Sequence, residues 1–193
     1  MRSKMEILLK SLLLISFFGV SQKCALPKKS VSSTEPKLVW SDEFNVPGLP
    51  DSTKWGYDLG TGCPNICGWG NNELQYYNAH RAENARVENG RLLIEAHRES
   101  WQGMGYTSAR LVSKHKGDWT YGRFEARIKC PVGRGTWAAF WMLPTDWKYG
   151  GWPHSGEIDI MEHVGFKRDS VFATAHTASF TNSKGTENTR AFF

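Results

Sequence analysis

The stretch Glu157-Ile-Asp-Ile-Met-Glu162 places three carboxylates within six residues and interleaves them with apolar side chains. Because side chains alternate between the two faces of a strand, Glu157 and Asp159 are expected to share a face while Glu162 points the other way. One extra residue in the strand, a β-bulge near Ile160-Met161, would return Glu162 to the face of the other two acids. The spacing therefore predicts a bulged strand with all three acids on one face.

Three acids on a core strand need a physical reason, because burying an unpaired carboxylate is costly. Two carboxyl groups about 5–5.5 Å apart are the apparatus with which a retaining glycosidase cleaves a glycosidic bond. A charged edge strand with solvated acids is the alternative, and the apolar flanks of the motif disfavour it. We therefore interpret the motif as a candidate catalytic centre.

The net charge of +5 is concentrated at the amino terminus. Residues 1–36 hold six Lys/Arg and two acids and carry +4, whereas the remainder holds 18 Lys/Arg and 17 Asp/Glu and carries +1. A nucleic-acid-binding domain needs a basic patch on its folded part, so nucleic acid is excluded as a partner. Nine tryptophans are unusual for this length. A core rich in tryptophan is one interpretation, and some of them must lie in the core, but the flat indole rings of the others suit the apolar faces of sugars.

The amino-terminal segment has the pattern of a secretory signal, because Arg2 and Lys4 precede an apolar stretch and small residues follow it. We expect an extracellular, secreted protein. Lipid attachment at Cys24 would instead give a cell-surface lipoprotein, the one case in which a membrane would be a partner. The chain is predicted to comprise a signal peptide, a tether and one folded domain, at residues 1–21, 22–37 and 38–193.

The remaining cysteines have separate interpretations. Cys63-Pro-Asn-Ile-Cys67 spans a loop rich in glycine and proline and could close a small disulfide ring, which an exported protein can form. A zinc site is disfavoured, because no second cysteine pair or histidine cluster completes a ligand set. Cys130 is then expected to be an unpaired, buried thiol.

Strand patterns dominate the mature chain. Asn89-Gly90 lies between two short runs with strand character, a strong signal for a two-residue hairpin turn. Many short strands with turn signals between them are typical of an all-β sandwich or barrel. Further strands are predicted at Tyr106–Ser113, Trp119–Lys129, Thr136–Leu143 and Ser170–Thr177.

Six stretches of the chain together resemble glycoside hydrolase family 16, and within it the laminarinase-like endo-β-1,3-glucanases. The resemblance implies a concanavalin A-like jelly roll, a sandwich of two curved antiparallel sheets with a concave cleft. Family members usually carry more strands after the point where this sequence ends, so we expect the C-terminal strands to be missing. The stretches are Leu38–Phe44, Gly68–Tyr77, Tyr106–Leu111, Tyr121–Lys129, Gly135–Pro144 and Trp152–Glu162.

The resemblance implies a retaining endo-hydrolase of β-1,3-glucan with Glu157 as the nucleophile and Glu162 as the acid/base. Asp159 is expected to share a proton or hydrogen bond with Glu157, with a purely structural acid as the alternative. Two alternative enzymes would use the same catalytic chemistry on another polysaccharide. They are a mixed-linkage β-1,3-1,4-glucanase and a galactan hydrolase. A non-catalytic glucan-binding protein is a third alternative, although such proteins typically lose the catalytic glutamates.

Five residues are expected to contact the glucan. Trp137 and Trp141 share a strand face and would stack on sugars, with core packing as the alternative. Asn72 would hydrogen-bond a sugar hydroxyl or serve only the turn. The resemblance places Arg110 in the cleft, and the alternative for this residue is a surface salt bridge. His176 is expected to be either a substrate contact or a hydrogen-bonded core histidine.

The resemblance also suggests a structural calcium ion near Glu43 and Gly90. Its third contributor would come from the segment after the end of this sequence, which puts the ion in doubt. No cofactor is expected for catalysis, and the protein is expected to be a monomer.

Overall fold

The computed structural model describes residues 35–181, residue 185 and residues 188–192. The predicted signal peptide, nearly all of the tether and Cys24 lie outside these residues, so the roles assigned to them stay predictions. From Lys37 the chain forms one compact unit. None of the helical segments in the described residues is long and apolar enough to cross a membrane.

The described residues are organised as short β-strands with one 3-10 segment at Cys67–Gly70, which confirms the all-β prediction. The strands are β1 (Gly56–Asp58), β2 (Gln75–Tyr77), β3 (Ala85–Glu88), β4 (Arg91–Ile94), β5 (His97–Trp101), β6 (Met104–Ser108), β7 (Arg110–Val112), β8 (Trp137–Met142), β9 (Glu157–Val164), β10 (Val171–His176) and β11 (Asn188–Phe192).

The largest sheet among the described residues has the order β11-β10-β9-β8, and all of its pairs are antiparallel. The others are a three-stranded sheet, β2-β6-β5, and the pairs β1-β7 and β3-β4. Only β2 and β6 run parallel among the described pairs. The acidic motif lies on β9, which is hydrogen-bonded on both sides, so its backbone is held by two ladders rather than one.

The hairpin predicted at Asn89-Gly90 is confirmed. Strands β3 and β4 pair in register from Ala85 with Ile94 to Glu88 with Arg91. Asn89 and Gly90 have φ angles of 53° and 69°. Positive φ at both central positions is what a type I′ turn requires, which is why Asn-Gly favours it.

The predicted strands at residues 136–143 and 170–177 are confirmed as β8 and β10. The strand predicted over Tyr106–Ser113 is divided, because β6 ends at Ser108 and β7 begins at Arg110. The two halves pair with different sheets, so the chain passes from one sheet to the other at the buried Ala109.

The strand predicted over Trp119–Lys129 is wrong, since these described residues form no ladder. Alternating side chains predict an extended chain, but a strand also needs a neighbour for its backbone groups, and no described strand provides one here. The alternation has a packing role nevertheless. Phe124, Ala126 and Ile128 line a cavity of about 520 Å³ against the face of β9 that carries Ile160 and Met161.

A polar cluster fastens the β3–β4 hairpin to β6. The amide oxygen of the fully buried Asn84 accepts hydrogen bonds from Asn78 at 3.1 Å and from Arg81 at 2.8 Å. Its amide nitrogen donates to the backbone oxygen of Glu95 at 3.1 Å and to Oγ1 of Thr107 at 3.0 Å. Because the buried amide is fully satisfied, it costs little to bury and fixes one arrangement of these elements.

Candidate active site

The acidic motif is bulged, as the spacing predicted. On β8, Trp141 pairs with Asp159 and Phe140 pairs with Met161, which leaves Ile160 as an extra residue of β9. The ladder to β10 shifts at the same place, between Phe172 and Thr174. Ile160 and Met161 therefore both face the apolar cavity, and Glu162 returns to the face of the other two acids.

Asp159 is the buried centre of this site, with 4% of its surface exposed. Its Oδ2 lies 3.1 Å from Nε2 of His176. Burial raises the pKa of Asp159 to about 8, and the charges of Glu157 and Glu162 and a hydrogen bond with Glu157 add to the rise. Asp159 is therefore a neutral carboxyl at pH 7, and it can donate a hydrogen bond to Glu157.

Glu162 has the environment of a general acid. Burial raises its pKa, and the neighbouring charge of Glu157 acts in the same direction. Nε1 of Trp137 donates a hydrogen bond to Oε1 of Glu162 at 2.9 Å, and this bond lowers the pKa of Glu162. His176 acts in the same direction as this bond. The balance is a raised pKa, so this carboxyl keeps its proton more readily than an ordinary glutamate.

Glu157 is oriented by a residue that the predicted site did not include. Nε1 of Trp152 donates a hydrogen bond to Oε2 of Glu157 at 2.6 Å, and Trp152 is 42% exposed. The signal available in the sequence was position, because Trp152 lies five residues before Glu157 inside the same motif. Each glutamate thus has one indole donor and a fixed carboxylate.

Trp137 and Trp141 lie on the face of β8 that meets the acids, since Trp141 pairs directly with Asp159. Trp137 is 55% exposed and offers a free ring surface. Trp141 is half-buried, and the guanidinium of Arg110 stacks on its ring at 4.6 Å. One face of Trp141 is therefore covered, which leaves less of it for stacking than the sequence predicted.

Arg110 lies between two indole rings, with Trp69 on its other side at 4.4 Å. Its Nε is 2.9 Å from Oδ2 of Asp58. The Nε–H bond is not directed at that oxygen, so the contact is an ion pair without a hydrogen bond. Arg110 thus joins β7, the Trp69 loop and β8 beside the acids.

His176 and Asn72 differ in how close they are to the acids. His176 is buried, pairs with Glu157 across the ladder and contacts Asp159, so the site includes it. Asn72 is exposed in a loop with a φ of 57°, and among the described residues no side chain hydrogen-bonds to it. The substrate role of each stays a prediction.

The Gly/Pro loop is closed by a disulfide between Cys63 and Cys67. Trp69 follows directly and donates from Nε1 to the backbone oxygen of Gly60 at 3.2 Å. This ring therefore supports the loop that covers Arg110. Cys130 is free and half-buried, its Sγ lies 3.8 Å from Sδ of Met161, and burial raises the pKa of its thiol.

The calcium site suggested at Glu43 and Gly90 stays a prediction. Glu43 is exposed, and Gly90 lies in the hairpin turn. Among the described residues, one group of side chains is close enough together to bind a metal ion. It consists of Glu157, Asp159 and His176, whose ligand atoms lie within 4.8 Å of one another. Glu43 does not belong to this group, and the reaction described below uses no calcium.

Two opposed glutamates with a neutral aspartate between them, on an all-β scaffold, define a glycosidase-type site. A comparison with protein-family models matches residues 72–192 to glycosyl hydrolases family 16. The chain belongs to this family. The match confirms the resemblance read from the six motifs.

Relatives and solved structures agree with that assignment. A beta-glucanase of Rhodothermus marinus is 57% identical over 153 residues, which cover 78% of this chain and 52% of the relative. The crystal structure of the laminarinase from Rhodothermus marinus matches with a TM-score of 0.77 and 56% identity over 81% of this chain and 61% of that one. The chain thus spans about half to three fifths of these two proteins, and the matching architecture confirms the jelly-roll prediction.

A further structure is of a mutant of SCLam, a non-specific endo-beta-1,3(4)-glucanase of the same family. It matches with a TM-score of 0.75 and 44% identity, over 81% of this chain and 61% of that chain. It was co-crystallised with 1,3-beta-D-cellotriosyl-glucose and presents 1,3-beta-D-cellobiosyl-glucose at its active site.

Proposed function

We propose that the protein is a retaining endo-hydrolase of β-1,3-glucan. The observation that carries the proposal is the bulge at Ile160, which turns three acids to one face of β9. Of these acids, Asp159 and Glu162 have raised pKa values, and Glu157 is held by the indole of Trp152. A nucleophile and a proton donor side by side are what this reaction needs.

In the first step, Glu157 attacks the anomeric carbon and forms a carbon–oxygen bond to it. The glycosidic bond breaks, and its oxygen takes the proton of Glu162 as the first half of the glucan leaves. The raised pKa of Glu162 makes this carboxyl hold that proton more readily than an ordinary glutamate does. In the second step, a water gives its proton to Glu162 and attacks the same carbon, while Glu157 leaves as a carboxylate.

The choice of β-1,3-glucan rests on the relatives and on the cleft together. The Rhodothermus marinus protein is named a beta-glucanase, and the matching solved structure is named a laminarinase. Exposed indole surface at Trp137 beside Glu162 suits an uncharged sugar ring. Arg110 is neutralised by Asp58, so Arg110 is not an unpaired cation for a sulfated sugar.

The experiment is the release of reducing sugar from laminarin by the purified chain, its Glu157→Gln and Glu162→Gln variants, and a matched control, Glu125→Gln. Glu125 is an exposed acid that pairs with Arg123 outside the site. Both site variants should lower kcat by at least about a thousand-fold with unchanged circular dichroism, while the control keeps full activity. Substantial activity in either site variant would refute the assigned roles.

A mixed-linkage β-1,3-1,4-glucanase is the second candidate, favoured by the match to the non-specific endo-beta-1,3(4)-glucanase. Both candidates use the same acids and differ in the sugar that the cleft accepts. The ratio of kcat/KM on laminarin to that on barley β-glucan decides between them. A ratio well above one supports the first candidate, and a ratio below one supports the second.

We also propose that the chain is exported, which the charged and apolar pattern of residues 1–21 supports. All three acids of the site come from one strand, which is compatible with the expected monomer. Amino-terminal sequencing of protein recovered outside the cells tests export. A mature terminus near Gln22 is expected, and a lipidated Cys24 would favour the surface-anchored alternative.

A further inference from the structure

We propose that a basic pocket at the turn between β9 and β10 binds an acidic group, a carboxylate or a sulfate, on the glucan chain. The inference rests on the proposed function, because it adds acidic derivatives of β-1,3-glucan to the substrates of the same site. The pocket has a volume of about 590 Å³. It is lined by Arg134 and by residues 165–170, which include Lys167, Arg168 and Asp169.

The pocket has an excess of positive charge. Its lining holds three cations and one carboxylate, which gives a local charge of +2. Within the part of the chain that the structure describes, no carboxylate lies at ion-pair distance from Arg134, Lys167 or Arg168. All three side chains are exposed. Because the chain from residue 37 onward carries only +1, these cations are a local concentration and not part of a general surplus.

Backbone contacts hold the two walls of the pocket together. The N–H of Gly165 donates to the backbone oxygen of Thr136 at 2.9 Å, and Oγ1 of Thr136 donates to the backbone oxygen of Gly133 at 2.8 Å. Gly165 is buried, and a Cβ at this position would lie only 1.8 Å from the oxygen of Gly133. The loop that carries Arg134 is therefore fixed against the turn that follows β9.

The pocket adjoins the face of the sheet that carries the acids. Phe172 of β10 pairs directly with Glu162, so both side chains lie on that face. The ammonium group of Lys167 lies 5.3 Å from the centre of the Phe172 ring. The turn begins at Gly165, which is three residues and about 10 Å along the strand from Glu162. A glucan bound with its scissile bond at Glu162 therefore has neighbouring sugars within reach of the pocket.

The chemistry of the lining favours an oxyanion. A guanidinium group presents a planar fork of N–H donors, which matches the oxygens of a carboxylate or a sulfate. Phe166 also lines the pocket, and its ring is 64% exposed, which offers flat apolar surface to a sugar. Cations beside an exposed ring fit an acidic sugar, or a sugar with an acidic substituent, better than they fit a neutral branch.

The test compares kcat/KM on carboxymethyl, sulfated and hydroxyethyl laminarin at the same low degree of substitution. The hydroxyethyl derivative is the uncharged control. At low salt, we expect kcat/KM of the parent on at least one acidic derivative to exceed that on the control by about five-fold, because exposed ion pairs are individually weak. About 0.5 M sodium chloride should remove most of this preference. The larger of the two preferences identifies the acidic group as a carboxylate or a sulfate.

Two pairs of substitutions locate the effect. Arg134→Gln combined with Arg168→Gln removes two cations of the pocket, and Arg91→Gln combined with Arg98→Gln is the matched control. Arg91 and Arg98 are exposed on β4 and β5, and in the described chain neither has a carboxylate at ion-pair distance. The pocket pair should reduce the preference to below about two-fold with unchanged circular dichroism, whereas the control pair should keep the preference of the parent.

Three results would overturn the inference. The first is a parent that prefers neither acidic derivative, and the second is a folded pocket pair that keeps the preference. The third is an equal loss in the control pair, which would assign the preference to net charge. If the pocket pair does not fold, the single variant Arg168→Gln replaces it, with Arg98→Gln as its control.

The two proposals fail in different ways. A folded parent that cleaves neither laminarin nor its derivatives would refute the proposed function and the inference with it. A parent that cleaves laminarin but shows no preference for an acidic derivative would refute the inference alone.

Discussion

Replacing Trp137 with phenylalanine removes the hydrogen bond that its Nε1 donates to Oε1 of Glu162 at 2.9 Å. That bond stabilises the charged carboxylate and lowers its pKa, against burial, which raises it. Without the donor, the pKa of Glu162 rises further, and the acid stays protonated to higher pH. Because Glu162 must donate a proton in the first step, Trp137→Phe should move the alkaline limb of kcat/KM to higher pH.

The size of this shift follows from the hydrogen bond and its exposure. A hydrogen bond to a charged group contributes about 1.5–3 kcal/mol, which corresponds to about one to two pH units. Trp137 is 55% exposed, so water can replace part of the lost bond. We therefore expect a shift of about half a unit to one unit, below the full value.

The assay is kcat/KM on laminarin across the neutral and alkaline range, where the limb reports the free enzyme. Phenylalanine keeps an aromatic surface, so changes in sugar stacking should alter the height of the profile and not the position of its limb. Trp152→Phe is the matched control, because its lost hydrogen bond is to Glu157. An alkaline limb that stays in place or moves down, or an equal shift in Trp152→Phe, would refute the reasoning.

Three further predictions concern stability and substrate binding. Asp159→Asn should raise Tm at pH 8 but not near pH 4. The pKa of Asp159 is about 8 in the folded chain and 3.8 ordinarily, so the wild-type protein loses stability as the pH rises between these two values. Equal shifts of Tm at both pH values would contradict this. Replacing Cys63 and Cys67 by serine should lower the unfolding free energy by about 2 kcal/mol in urea titrations, and an unchanged midpoint would count against it. Arg110→Lys keeps the charge but loses the stacking of the planar guanidinium on Trp69. The KM for laminarin should therefore rise several-fold, while kcat changes less. An unaltered KM would argue against a role of Arg110 in binding.

The acidic motif was predictable from sequence because its information is local. Three acids at these intervals are compatible with one face only if the strand contains an extra residue, and β9 has that residue at Ile160. The Asn89-Gly90 hairpin was predictable for the same reason, since two adjacent residues with positive φ determine the turn.

Predictions that depended on a distant partner were less successful. Residues 119–129 alternate like a strand but have no paired neighbour in the described chain, because alternation contains no information about the partner. The indole of Trp152 was not identified as the donor to Glu157, since hydrogen-bond direction depends on how the preceding loop folds back. Arg110 was placed near the cleft, but its position between two indole rings depends on three separate segments.

By itself, the sequence determined the all-β class, the bulged strand and the identity of the three acids, because spacing along one strand decides which side chains share a face. Only the tertiary structure decided what state those acids are in. The contact of His176 with Asp159 and the indole donor of Trp137 to Glu162 join different strands, and Trp152 reaches Glu157 only because the loop before β9 folds back. Desolvation and hydrogen bonding act through space, and they turn three ordinary carboxyl groups into groups with different proton affinities.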